Sequence, residues 1–425
     1  MLWGPMRTGR LLRPTGRRRP ADGWVQRRAL GACVAAVAVL CGAAHAPLVG
    51  PGSVATGPSP VEASGADPGD NPPVLWLELD GSPTQGQLED AAAHDRVVVL
   101  NAWETAALHE LKRLNSQVTV LVYKDISATR SDATRPLEAS GVRYRDARPE
   151  WFARSQLTGQ RLEWREFPHN YQMAVWLAAY QQAWASTVGK EVVREGWDGV
   201  FADDAVARVD AHVEAPMVGC STDMQMRAAV SALVETAGRT LVARGKLLVP
   251  NVADASVHDG WWPRLTRFGG GFEEYLAHVG ADPATGFVTS VTDGGFLRQL
   301  SLLSATAFPL AHTDAVDADD TSFRYGLATF WVAGAGRGAF SVTPPGVYGP
   351  VRRHLEQDWN LGQPVQPAVS VGGAFVRRFS SGFAAVNPTA GTVQVDVPEG
   401  MVDASGKHSS SVALPAHHGA IYRTT

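Results

Sequence analysis

Two pairs of adjacent acids stand at the ends of short apolar runs. Asp203-Asp204 closes Gly196-Trp197-Asp198-Gly199-Val200-Phe201-Ala202-Asp203-Asp204, and Glu273-Glu274 follows Gly269-Gly270-Gly271-Phe272. Two carboxyl groups facing one cleft can cleave a glycosidic bond: one protonates the departing oxygen, and the other is nucleophile or base for water. Their surroundings must then separate their proton affinities. Side chains alternate along a strand, so within each pair one acid lines the cleft while the other caps a helix or meets a neighbour. One residue of register decides which, and both members of each pair stay candidates on this ground.

Other apolar runs end in the same manner, at Asp80, Trp103-Glu104, Lys124-Asp125, Asn251 and His312. Polar residues mark strand-to-loop junctions in any protein, but so many carboxylate, amide and imidazole endings point to one shared cleft. Asp80, Tyr123, Asp125 and Asn251 are candidates to shape it. Tyr123, Lys124 and Asp125 could meet substrate hydroxyls, or the two charged residues could pair with neighbouring strand ends. His312 could orient a carboxylate or be a satisfied structural histidine. Trp103 and Trp164, like Trp151, Trp176, Trp261 and Trp262, offer faces for sugar stacking, with core packing the plainer reading of each.

Several chemistries find no support. The histidines are scattered without zinc-ligand spacing. Asp314, Asp317, Asp319 and Asp320 lack the Gly and Glu positions of a calcium loop and read as a solvated acidic turn. The run Gly269-Gly270-Gly271 has no Gly-Lys-Ser/Thr ending, so it is read as close backbone approach at the cleft rather than phosphate binding. No Gly-x-Ser-x-Gly elbow occurs. No metal or organic cofactor is implied. The net charge of −4, with no basic cluster after the N-terminal segment, gives no field for nucleic acid.

The elements that would carry these acids alternate in kind. Apolar runs begin at Val74, Val97, Val118, Gly199, Leu247, Gly269, Ala307 and Arg337, with amphipathic stretches between them, clearest at Ala178–Glu195, Asp223–Arg244, Gly295–Ala305 and Ser322–Ala333. Strand–helix alternation predicts a parallel sheet covered by helices, and eight strands predict an α/β fold closed as a (β/α)8 TIM barrel over residues 74–362. Beyond Gly362, short alternating runs punctuated by Gly, Pro, Asn and Ser predict a small antiparallel β-domain over 363–425.

Residues 1–46 read as an export segment. Eight arginines from Arg7 to Arg28 precede an apolar run, Ala29–Ala44, and Ala44-His45-Ala46 has the form of a cleavage site. Pro47 disfavours cut there, so an uncleaved anchor, the one membrane tether the sequence offers, stands as a second reading. Residues 47–73, rich in Gly, Pro, Ala and Ser, form a flexible linker. Of three cysteines, Cys33 and Cys41 fall in the export segment, leaving Cys220 without an intramolecular disulfide partner.

The segment Gly196–Asp204 resembles the fourth-strand signature of a superfamily of TIM-barrel glycoside hydrolases that includes the endo-α-1,4-polygalactosaminidases and the hypothetical glycosyl hydrolase family 15 group. Val97–Glu104, Val120–Asp125, Tyr180–Trp184, Pro250-Asn251 and Leu361–Pro364 are similar to the latter group, and Arg377-Arg378-Phe379 with Val386-Asn387-Pro388 resembles the β-domain that often follows such barrels. The resemblance implies that Asp203 is the nucleophile or stabiliser and Glu274 the general acid/base, with Asp204 and Glu273 as their rivals. It also implies an aspartate near Ala174, where this chain has Met173-Ala174-Val175-Trp176. The expectation is a secreted glycoside hydrolase acting on an extracellular or envelope polysaccharide. The alternative is a barrel that binds glycan without cutting it.

Overall fold

The computed structural model describes residues 71–213, 216–289, 295–316, 319–349 and 353–425. The expected export segment, the expected linker as far as residue 70, and Asp317 lie outside the described residues.

Eight parallel strands pair in chain order: β1 (Leu75–Glu78), β2 (Val97–Leu100), β3 (Thr119–Asp125), β4 (Gly199–Ala205), β5 (Leu247–Val252), β6 (Gly271–Glu273), β7 (Pro309–Asp314) and β8 (Ala339–Thr343). A parallel bridge between Val74 and Phe340 closes the sheet, the Phe340 amide donating to the Pro73 carbonyl at 2.8 Å. Arg96 fastens the same seam through the carbonyls of Gly336 and Gly338, at 2.6 and 3.0 Å. Helices α1 (Gln85–His94), α2 (Thr105–Leu114), α3 (Ala178–Glu195), α4 (Asp223–Val242), α5 (Trp261–Leu265), α6 (Phe296–Ser304) and α7 (Asp320–Gly334) run between strands. Sequence sets several of their ends. Thr84 with Gln87 and Thr222 with Gln225 form capping boxes at α1 and α4, and Gly196 ends α3 with a left-handed backbone. The architecture is the expected (β/α)8 barrel with an antiparallel β-domain.

Alternation sorts each strand. Leu75, Leu77, Val97, Val99, Leu121, Phe201, Val249, Phe272, Leu310 and Ala339 fill the barrel interior. Their neighbours Trp76, Val98, Val120, Val200 and Leu248 pack outward under the helices. The triple glycine corrects one expectation. It lies where the chain enters β6, at the end opposite the strand's C-terminal acids. A Cβ on Gly270 (φ 147°) would stand 2.2 Å from the Phe308 carbonyl oxygen, and one on Gly271 would stand 2.3 Å from the Thr266 methyl. Close backbone approach is the reason for the run, but at the floor of the barrel rather than at its mouth.

Between β3 and α3 the chain makes a long excursion carrying a two-stranded ribbon, Ala128–Arg130 with Asn170–Gln172. Lys124 anchors it: the fully buried ammonium contacts Glu191 Oε1 of α3 at 2.7 Å and donates to the Glu138 carbonyl at 2.7 Å.

The C-terminal strands are β9 (Val369–Val371), β10 (Ala374–Arg378), β11 (Gly382–Asn387), β12 (Val393–Asp396), β13 (Met401–Val402), β14 (Ser411–Leu414) and β15 (His418–Thr424). One sheet has the order β9-β10-β11-β15-β13, and β12 pairs with β14. β15 lies directly on α7, where a Cβ on Gly419 would stand 2.2 Å from the Arg324 carbonyl oxygen and 2.7 Å from the Ala328 Cβ. A shared core holds Phe323, Ala328 and Trp331 of α7 with Ala384, Val386 and Ile421 of the β-domain.

Candidate active site

The barrel interior fixes which strand-end residues reach the mouth, because a residue two positions past an interior side chain faces the same way. Tyr123 follows Leu121, Asp203 follows Phe201, Asn251 follows Val249, Glu274 follows Phe272 and His312 follows Leu310. These residues converge. Asn251 Nδ2 donates to Asp203 Oδ1 at 2.9 Å and to Glu274 Oε2 at 3.1 Å. The two acceptor oxygens therefore lie no farther apart than those bonds end to end, about 6 Å. With each oxygen on its own N–H, whose directions in a planar amide diverge by roughly 120°, the separation is about 5 Å.

Asp203 receives two further bonds. Tyr123 Oη donates to its Oδ2 at 2.7 Å, and the Asp204 amide donates to its Oδ1 at 2.9 Å. Burial, then the charge of Glu274, pushes Asp203 above the ordinary carboxylate range, while the bonds from Tyr123, Asn251 and Asp204 oppose that rise. Glu274 receives Tyr348 Oη on Oε1 at 2.8 Å. Both phenols are held well above their ordinary pKa of 10.0, by burial first and then by the neighbouring carboxylates, so they remain donors.

The rival acids point elsewhere. Glu273 is buried on the outer side of β6, its Oε1 3.5 Å from Gln299 Nε2 of α6, and burial pushes it up to about 7. Asp204 turns its Oδ1 to within 3.0 Å of His212 Nε2.

Several expected contacts are corrected by burial and alternation. Lys124 faces the helix layer, one residue out of phase with Tyr123, and is spent on Glu191. Asp125 is buried and its Oδ1 accepts the amides of Ser127 and Ala128, both at 2.7 Å, which turns the chain into the excursion. Trp164 is no sugar platform: it is 3 % exposed and stacks on His212 at 3.9 Å. Trp103 is half-buried, with the Arg135 guanidinium 4.5 Å from its ring centre. His312 has both nitrogens engaged, Nδ1 3.0 Å from the Glu274 carbonyl and Nε2 2.8 Å from Thr343 Oγ1, so it holds the backbone of Glu274 and not its carboxylate. Asp80 stays at the exposed rim, where its Oδ2 accepts the Tyr348 amide at 2.8 Å. Ala174 is buried, its amide donating to the Trp151 carbonyl at 2.7 Å.

Two residues of this site escape sequence reasoning. Tyr348 sits in Pro344-Pro345-Gly346-Val347-Tyr348-Gly349, a turn-like stretch whose reach across the mouth no spacing announces. His212 lies in a loop after β4 and carries no motif.

Comparison with known proteins places the chain in a family. A profile of the hypothetical glycosyl hydrolase family 15 matches residues 112–383, more than half of the chain and including Asp203, Asn251 and Glu274. The chain belongs to this glycosyl hydrolase family. No curated protein matches it in sequence. Among solved structures it is similar to the GH31 dextranase of Flavobacterium johnsoniae complexed with glucose: TM-score 0.50, 12% identity, covering 83% of this chain and 52% of the dextranase. It is also similar to the cycloalternan-degrading enzyme from Trueperella pyogenes, with TM-score 0.47, 11% identity and coverage of 83% and 62%. A GH27 β-L-arabinopyranosidase from Geobacillus stearothermophilus gives TM-score 0.48, 10% identity and coverage of 84% and 98%. The chain thus spans less than two thirds of the length of the first two. At these identities the likeness is one of fold; the family assignment rests on the profile.

Proposed function

We propose that the chain is a secreted, retaining glycoside hydrolase acting on an extracellular or cell-envelope polysaccharide, with Asp203 as nucleophile and Glu274 as general acid/base. The observation that carries this reading is the single amide of Asn251 shared by both carboxylates. Carboxyl groups roughly 5–5.5 Å apart leave no room for a water between acid and sugar, whereas inverting enzymes need about 6.5–9.5 Å. The bonds that Asp203 receives from Tyr123, Asn251 and the Asp204 amide favour its ionised form and oppose the rise that burial and Glu274 impose. Each carboxylate oxygen has two lone pairs; Oδ1 of Asp203 has both engaged and Oδ2 has one free, so Oδ2 is the attacking atom.

In the first step Oδ2 bonds to the anomeric carbon as the bond to the leaving oxygen breaks and Glu274 gives that oxygen its proton. In the second, Glu274 takes a proton from water, whose oxygen displaces Asp203 and releases the sugar. The test is reducing-sugar release from a panel of bacterial exopolysaccharides and wall glycans by the wild type, Asp203→Asn and Glu274→Gln. Proton NMR then follows the first anomer formed. Release lost in both variants, with retained configuration, supports the reading. An inverted first product overturns the retaining assignment, and glycan binding without release by any of the three proteins overturns the hydrolase.

A further inference from the structure

Asp204 has a left-handed backbone, φ 58°, uncommon for a residue other than glycine. Three bonds hold it there. Its amide donates to Asp203 Oδ1 at 2.9 Å, its carbonyl accepts Ser127 Oγ at 2.8 Å, and its carboxylate lies 3.0 Å from His212 Nε2. The imidazole is buried, its side chain 2 % exposed, and it stacks on Trp164 at an interplanar angle of 17°. Its other nitrogen, Nδ1, faces Glu166 Oε2 at 4.0 Å. A neutral imidazole has one N–H and one lone pair, so it would present the lone pair to one of these two carboxylates. A protonated ring presents a donor to each.

Among the described residues, no cation forms a hydrogen bond or ion pair with Asp203 or Glu274. The donors to Asp203 and Glu274 are two phenols, an amide side chain and a backbone amide. Asp125 adds a further carboxyl beside them. We propose that His212 and Asp204 are positioning residues for Asp203: the ion pair locks the left-handed turn that projects Asp203 into the mouth, and the imidazolium offsets the charge of the acids gathered there. The role as stated for Asp203 rests on the reading of it as nucleophile. Burial and Glu274 drive Asp203 toward protonation, and a cation one residue away opposes that drift. Among the described residues, the groups facing Asp203 include Tyr123, Asp125, Asp204, Asn251, Glu274 and Tyr348. Among the described residues, Asp204 and Glu166 face His212, and Arg165 contacts the Asp210 carbonyl and Glu166.

The experiment is a carbon-13 NMR titration of the full chain labelled at aspartate Cγ, with the Asp203 signal assigned by its loss in Asp203→Asn. In Asp204→Asn, which is isosteric and removes a negative charge, the Asp203 midpoint falls; in His212→Gln, which removes the positive charge, it rises. Each move is expected to be about one pH unit for charges at this range in a partly solvated site. Midpoints that stay at the wild-type value, or that move in the same direction in both variants, overturn the proposal. If His212→Gln does not fold, Asp204→Asn decides alone: a fall supports, no change overturns. No sugar is present, so this titration can fail while glycan hydrolysis succeeds, and the reverse.

Discussion

The hydroxyl of Tyr348 donates to Oε1 of Glu274 at 2.8 Å from a turn beyond the last barrel strand. The turn is held by the two residues after β1: the amides of Leu79 and Asp80 donate to the Tyr348 carbonyl at 2.7 and 3.1 Å, and Asp80 accepts the Tyr348 amide. The proposed proton carrier, Glu274, is thus oriented through the barrel seam. Removing a hydrogen bond to a charged group costs about 1.5–3 kcal/mol. Tyr348→Phe is expected to lower kcat by roughly ten- to a hundredfold with the melting temperature little changed. Asp80→Ala is expected to act in the same direction and more weakly, measured on the same glycan.

Asn251 is expected to be the most sensitive neutral residue. Asn251→Ala removes the donor shared by the two carboxylates and leaves them to repel each other. Asn251→Asp adds a third negative charge in its place. Hydrolysis should fall in both, and further in Asn251→Asp, although aspartate is the closer match in shape. Equal losses would mean that the amide only fills space.

Glu273 makes stability depend on pH. Its ordinary pKa of 4.5 rises to about 7 in the folded chain because it is buried. Below pH 4.5 it is protonated whether folded or unfolded, and nothing is lost. Between 4.5 and about 7 the unfolded chain releases the proton while the folded chain keeps it, so stability falls as pH rises. The accumulated loss is about 3 kcal/mol above neutrality, at 1.36 kcal/mol per pH unit. Glu273→Gln should match the wild type in urea denaturation at pH 4 and exceed it at pH 8. A variant less stable than the wild type at both would refute this account.

Lys124 and Glu191 are tied in the helix layer, away from the mouth. Burial pulls the Lys124 ammonium below its ordinary range and Glu191 pulls it back. Lys124→Met strands a buried carboxylate, which costs about 3–5 kcal/mol. Adding Glu191→Leu should recover much of that loss in denaturant unfolding, and kcat of the folded fraction should be unchanged throughout.

The barrel was legible because its strands are apolar runs with interrupted, polar ends, and the positions of Val97, Thr119, Gly199 and Leu247 as strand starts or near-starts follow from that pattern. The choice between Glu273 and Glu274 was not, since it depends on Phe272 facing the interior, and an isolated Gly-Gly-Gly-Phe run carries no phase. Lys124 misled for the same reason: a strand end attracts attention to every polar residue there, while only alternate ones reach the mouth. Tyr348 and His212 were invisible because their places depend on loops that fold back from distant elements. The tryptophans show the limit of composition: Trp164, Trp184, Trp197, Trp262 and Trp331 are buried packing residues, and their number says little about sugar stacking.

The contact of Gly419 with Arg324 and Ala328 has a practical corollary. Helix α7 is buried along nearly its whole length, Phe323 to Gly334, apart from Arg324. Most barrel helices keep one flank for water; this one has an apolar residue on each side. A chain shortened after the barrel would bare the face that β11 and β15 now cover, including Trp331 where Phe379 meets its ring edge-on at 5.1 Å. Such a fragment would gather into aggregates rather than circulate as a smaller enzyme. The appendage is therefore a wall of the same building, and any attempt to shorten this protein for crystallisation or engineering should begin from its other end.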